Sequence, residues 1–94
     1  MFVLQIEHPV PNYDGWKKAF ESDPVGRQEG GVVRYTIFKT TTTPQCVIVD
    51  LEFAVQAQAE VFLDSLRKLW GTVDGTIMNN PKARIFEVME TNVY

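Results

Sequence analysis

The apolar positions of this 94-residue chain fall into six stretches, and their periods predict strand, helix, strand, strand, helix, strand. Phe2, Leu4 and Ile6 alternate with Val3, Gln5 and Glu7, the period of two of a strand with one buried face, and His8-Pro9-Val10-Pro11 ends the run. A first helix follows, with Asn12 or Asp14 as its cap and Tyr13, Trp16 and Phe20 as its inner stripe, weakened slightly by Gly15. Pro24, Gly26, Gly30 and Gly31 break the pattern before a second strand over Val32–Lys39. Residues 40–45, which include Pro44, join it to a third strand over Cys46–Phe53, so these two form a hairpin. From 55 to 70 the apolar stripe is Ala59, Phe62, Leu63, Leu66, Leu69 and Trp70, with Gln56, Gln58, Glu60, Asp64, Arg67 and Lys68 on the wet side. Gly71 stands where that helix should stop, 72–81 reads as a loop around Gly75 and Asn79-Asn80-Pro81, and a last strand covers 83–90. The order is that of a split βαβ sandwich in one domain, 1–94, an α+β unit with a four-stranded antiparallel sheet.

Side-chain parity on the strands gives each residue a face. One face collects Leu4, Ile6, Val33, Tyr35, Ile37, Val47, Val49, Leu51, Phe53, Phe86 and Val88, which the two amphipathic helices would cover. The other collects Val3, Gln5, Glu7, Arg34, Thr36, Phe38, Ile48, Asp50, Glu52, Ile85, Glu87 and Met89. A face that met only water would alternate more cleanly to polar residues, so this one is expected to be covered by a second copy of the chain, giving a homodimer through the open sheet face.

Composition narrows the function classes. Hydrophobic residues at 45% and charged residues at 22% are those of a globular domain, and a formal net charge of −3 without a basic stripe argues against nucleic-acid binding. No apolar run approaches the roughly 20 residues that cross a bilayer, and the acidic opening Met-Phe-Val-Leu-Gln-Ile-Glu lacks a basic leader, so a cytoplasmic protein without membrane contact is expected. Cys46 is the single cysteine, which rules out an internal disulfide and a cysteine-rich metal site and reads as a small strand residue. No phosphate-binding glycine loop, nucleophile elbow or metal-ligand spacing occurs, so neither cofactor nor metal is expected. Glu60 and Asp64 lie one turn apart on the wet face and read as a solvated ridge.

Three residues are candidates for chemistry. His8, the one histidine, can act as a general base near neutrality and shares parity with Leu4 and Ile6, which aims it at the cleft beneath the helices. Its structural reading is a strand-end imidazole bonded to a backbone carbonyl. Arg34 is the one strand cation among Glu7, Asp50, Glu52 and Glu87, placed either to clamp a carboxylate of a ligand or to pair with a neighbour across a dimer. Glu52, crowded by other carboxylates on a face expected to be covered, is a candidate proton shuttle. Tyr13, Trp16, Tyr35 and Trp70 supply aromatic walls for a flat substrate, although the same spacing suits core packing.

The order of elements, together with the segment His8-Pro9-Val10-Pro11-Asn12-Tyr13-Asp14-Gly15-Trp16-Lys17, resembles the dimeric α+β barrel superfamily, and within it the small single-domain relatives of antibiotic-biosynthesis monooxygenases. The resemblance implies a ferredoxin-like subunit whose sheet packs on its twin's, in a group that includes cofactor-free oxygenases, heme-degrading enzymes and lactone isomerases. Heme-degrading members ligate iron through a histidine on the second helix, and residues 55–70 contain none. Oxygenase members often carry an aromatic on that helix, a place Trp70 can fill. Their polar partner on the first strand, usually asparagine, would here be Gln5 or Glu7. Two functions are therefore carried forward. One is a cofactor-independent monooxygenase or isomerase of a small metabolite, with His8 as base, Arg34 as anion clamp and Trp70 as a wall. The other is a noncatalytic dimer that binds a metabolite or supports a partner.

Overall fold

The computed structural model describes residues 1–10, 12–42, 45–72 and 81–94, and its elements are β1 (Phe2–Pro9), α1 (Tyr13–Glu21), β2 (Val32–Lys39), β3 (Cys46–Phe53), α2 (Gln56–Thr72) and β4 (Lys82–Glu87). The strands form one antiparallel sheet in the order β2-β3-β1-β4, so β1 and β3 are central and each helix is a crossover between strands that are consecutive in sequence but not neighbours in the sheet. The pairs Leu4↔Leu51, Ile6↔Val49 and His8↔Val47 stack the inner residues of the two central strands side by side. Onto them α1 lowers Trp16 while α2 lowers Ala59, Phe62 and Leu63, and these with Phe53 make the core. Each large side chain so buried contributes about 1.5–3 kcal/mol, which is why the two central strands and one face of α2 hold the fold.

Local chemistry sets the joints. Asn12, not Asp14, caps α1, its Oδ1 accepting from the Gly15 amide at 3.1 Å, and this fixes the turn that carries Trp16 inward. Between α1 and β2, Asp23 (φ 53°) and Gly26 (φ 82°) adopt left-handed backbone, and the amides of Gly26 and Gly30 donate to the carbonyls of Asp23 and Gly26. Gly30 lies against α2 so closely that a Cβ there would stand 2.6 Å from Phe62 Cδ1.

Several expectations are corrected. β1 continues through His8 to Pro9, which pairs with Cys46, because the proline closes the strand rather than interrupting it. β4 pairs Val3↔Phe86, Leu4↔Ile85, Gln5↔Arg84 and Ile6↔Ala83. Its parity is thus the reverse of that expected: Ala83 and Ile85 face the helices, Phe86 faces away, and Glu87 lies opposite Phe2 rather than on the open face. The physical reason is charge, since this register keeps Lys82 and Arg84 out of the core. β4 also ends at Glu87, short of 90, leaving Val88 to donate to the Met1 carbonyl. A register shift between Val32 and Arg34 leaves Val33 60% exposed, so Val32, opposite Phe53, takes its inward place. α2 runs through Gly71 to Thr72. The expected loop over 72–81 lies, but for its ends, outside the described residues, as do Pro11 and Pro44.

Candidate functional site

The sheet separates the candidates into two groups. On the covered face β1 carries His8 inward beside Val47, 1% exposed and the one buried polar residue of the described core. Trp16 stands over it with ring centroids 5.5 Å apart and the planes tilted by 53°. From there an aromatic ladder runs outward along α1: Trp16 stacks on Phe20 at 5.3 Å, and Phe20 meets Tyr35 of β2 edge-on at 5.0 Å. Tyr13 leans on Trp16 at 5.8 Å from the solvent side.

Beneath the helices is a cavity of about 280 Å³. Its floor is Ile6, His8, Val49 and Leu51, its walls are Trp16 and Phe20 from α1, and its roof is Phe62, Leu66 and Trp70 from α2, which recur at helical spacing on one face. Ser22 and Pro24, both exposed, place its opening at the turn after α1, where Asp23 and Arg27 also reach it. Native cores leave few voids larger than a water molecule. This space opens to solvent at that turn and is lined by carbon, with one imidazole at its floor and one ion pair at its mouth.

The His8 imidazole is unusual for its setting. Its Nδ1 is buried and has no hydrogen-bond partner among the described residues. Burial pushes its pKa below the ordinary 6.5, partly offset by a backbone hydrogen bond at Pro9. Burial thus favours the neutral ring, which lies at the floor of the cavity.

Arg34 and Glu52 lie on the other side of the sheet. Arg34 Nε donates to Glu52 Oε2 at 2.6 Å, with the arginine side chain 72% exposed and the glutamate 16% exposed. Next to them Gln5 Nε2 donates to Asp50 Oδ1 at 3.0 Å. Arg34 is not the only strand cation there, since Arg84 and Lys82 lie opposite Gln5 and Glu7. Of the seven residues singled out from the sequence, the structure thus gathers His8, Trp16 and Trp70 around one cavity. It sets Tyr13 and Tyr35 outside its walls and turns Arg34 and Glu52 away from it. Arg27 was missed. It sits in a turn without periodicity, and only its position four residues after Asp23 hinted at an ordered role. Among the described residues no group of three or more His, Cys, Asp or Glu is placed to hold a metal ion, and no helix is long and apolar enough to cross a membrane.

No family model matches the chain, and no curated protein matches it in sequence. Solved structures do match. SnoaB, a cofactor-independent oxygenase from Streptomyces nogalater, superposes with a TM-score of 0.73 at 12% identity over 96% of this chain and 94% of its own. A dimeric ferredoxin-like protein from an uncultured marine organism gives 0.68 at 13% identity over 99% and 98%. The chain has a ferredoxin-like fold. A monooxygenase of Streptomyces coelicolor, solved with nanaomycin D, shares that fold with a TM-score of 0.63 at 20% identity over 99% of this chain and 91% of its own. The ferredoxin-like subunit read from the order of elements is therefore present, and SnoaB and the Streptomyces coelicolor monooxygenase share it.

Proposed function

We propose that this chain is a cofactor-independent oxygenase of a small, flat aromatic metabolite, which it binds in the cavity between sheet and helices. The observation that carries the reading is the buried, partnerless Nδ1 of a neutral His8 at the floor of an otherwise apolar cavity. Buried polar atoms are as a rule hydrogen-bonded, so an unpartnered one beside a cavity marks where a ligand can supply the partner. Trp16 and Trp70 are the walls against which a ring system stacks, and the volume, near the lower end of small-molecule sites, suits two or three fused rings. His8 removes a proton from an acidic C–H of the ring system, and the resulting carbanion, held away from water, is open to oxidation by dioxygen. An activated CH2 and O2 then give a ketone and water, so the oxidant is O2 and no electrons are left over. The fold shared with SnoaB and with the nanaomycin D-bound monooxygenase supports this class of reaction.

Arg34 and Glu52 take a different part in this reading. They belong to a homodimer interface on the open sheet face, where Phe38 and Phe86 are 46% and 39% exposed among the paired charges. The noncatalytic alternative, a dimer that only binds a metabolite, is favoured by the scarcity of polar groups around His8.

Oxygen uptake separates the two. With anthrone as substrate and chelator present, the wild-type chain should consume oxygen and form anthraquinone, and His8→Gln should be slower by about 10²-fold or more, the usual worth of a positioned base. Anthrone binding without oxygen uptake would sink the oxygenase reading and leave the binder.

A further inference from the structure

Arg27 is held with unusual care for a loop residue. Its guanidinium carbon lies 4.0 Å from the centre of the Phe20 ring and 5.1 Å from that of Tyr35, so it is stacked against both. Nη1 donates to the Phe20 carbonyl at 2.7 Å and lies 3.5 Å from Asp23 Oδ1, which itself accepts from the Arg27 amide at 2.8 Å. The side chain is 19% exposed and lines the cavity at the end away from His8. Both of the protein acceptors that the guanidinium meets among the described residues are at Nη1. A planar fork has five donors, and one carbonyl and one carboxylate oxygen, both at Nη1, do not use them up.

We infer that Arg27 is the specificity residue of the cavity, selecting aromatic ligands that carry an acidic edge, a carboxylate or an ionised enol, which it holds at the mouth while the ring system lies between Trp16 and Trp70. The inference rests on the cavity being a small-molecule site. The stacked pose matters because it removes rotamer freedom before the ligand arrives, so little is lost when the anion docks. Asp23 orients the guanidinium from one side and, as a like charge, keeps the ligand's anionic edge on the other. The apolar remainder of the cavity offers no second place for that edge. The ligand accordingly enters ring first, with its reactive carbon toward the His8 end of the cavity and its acid toward solvent.

Two probes of the same ring size test this at pH 7: 1-hydroxy-2-naphthoate, which is anionic, and 1-naphthol, which is neutral, each titrated against tryptophan fluorescence and confirmed by calorimetry. The wild-type chain should bind the naphthoate tighter by about ten-fold or more, the range of a charge-assisted bidentate contact. Arg27→Gln should erase that ratio while 1-naphthol still binds, and Arg27→Lys, which keeps the charge without the fork, should restore part of it. Equal affinities in the wild-type chain would overturn the inference even if Arg27→Gln did not fold, and so would an unchanged ratio in a folded Arg27→Gln. In both cases 1-naphthol binding would leave the cavity reading standing. Failure of both probes to bind would overturn the two together.

Discussion

The two faces of this sheet are built from the same alternating strands and behave as different materials. The covered face is carbon, with a single unpartnered imidazole and a cavity above it. The open face is a lattice of short polar pairs, Arg34 with Glu52 and Gln5 with Asp50, studded with Phe38 and Phe86. Neighbours in sequence are assigned to opposite materials: His8 faces the cavity while Glu7 beside it faces away. Those pairs tie the open face to itself, whereas the covered face leaves one buried imidazole nitrogen without a partner among the described residues. In the proposed reading chemistry belongs to the covered face and assembly to the open one.

The sharpest way to break that division is to remove one large ring from each face. Phe53→Ala takes away a fully buried side chain that packs on Phe62 at 5.6 Å, and should cost about 3–5 kcal/mol in urea unfolding. Phe38→Ala, half-exposed at the sheet edge, should change the stability of a single subunit by no more than about 0.5 kcal/mol. Any larger loss should depend on protein concentration, as expected for a residue that meets a second copy. Comparable, concentration-independent losses from both variants would show that the two faces are not different in kind.

A charge placed in the open face tests what covers it. Ile48 lies half-buried between Glu7 of β1 and Phe38 of β2, at the centre of that face. In the homodimer reading, light scattering should give the wild-type chain twice its 10.7 kDa mass, and Ile48→Lys should yield monomer or aggregate because taking an ammonium out of water at the interface is costly even beside Glu7. A stable dimer from the variant would move the interface elsewhere.

The two faces also differ in how far they could be read from the sequence. All six elements were legible, because strand alternation and the long stripe of α2 from Ala59 to Trp70 are strong periodic signals. The parity of β4 was not, since Phe86 and Val88 outweigh Ala83 and Ile85 in apolar bulk. The register follows instead from keeping Lys82 and Arg84 out of the core, a criterion the sequence contained. Candidate residues were grouped as if strand chemistry met at one place, so His8 and Arg34 were joined although their parities set them on opposite faces. Arg27 was illegible for another reason. Its position depends on left-handed Asp23 and Gly26 and on contacts with Phe20 and Tyr35, none of which leaves a periodic trace.

The smallest effect is also the cleanest reporter on the covered face. His8 is the chain's one histidine, so no other side chain has an ordinary pKa between the carboxylates and the thiol. Burial lowers its folded-state pKa below the ordinary 6.5, as the cavity demands of a neutral base. Between those two values the unfolded chain binds more protons than the folded one, so stability rises with pH across that window and levels off above 6.5. The contribution is thus fully present above the unfolded pKa and lost as pH falls toward the folded one. Urea melts at intervals from about pH 5.5 to 7.5 should show this rise in the wild-type chain and a flatter profile in His8→Gln. A ligand that seats against Nδ1 and needs the neutral ring should weaken over the same window, in step with the loss of stability. The open face carries no histidine, so a slope that persisted unchanged in His8→Gln would mean that the proton is taken up elsewhere and that the covered face does not hold a base in reserve.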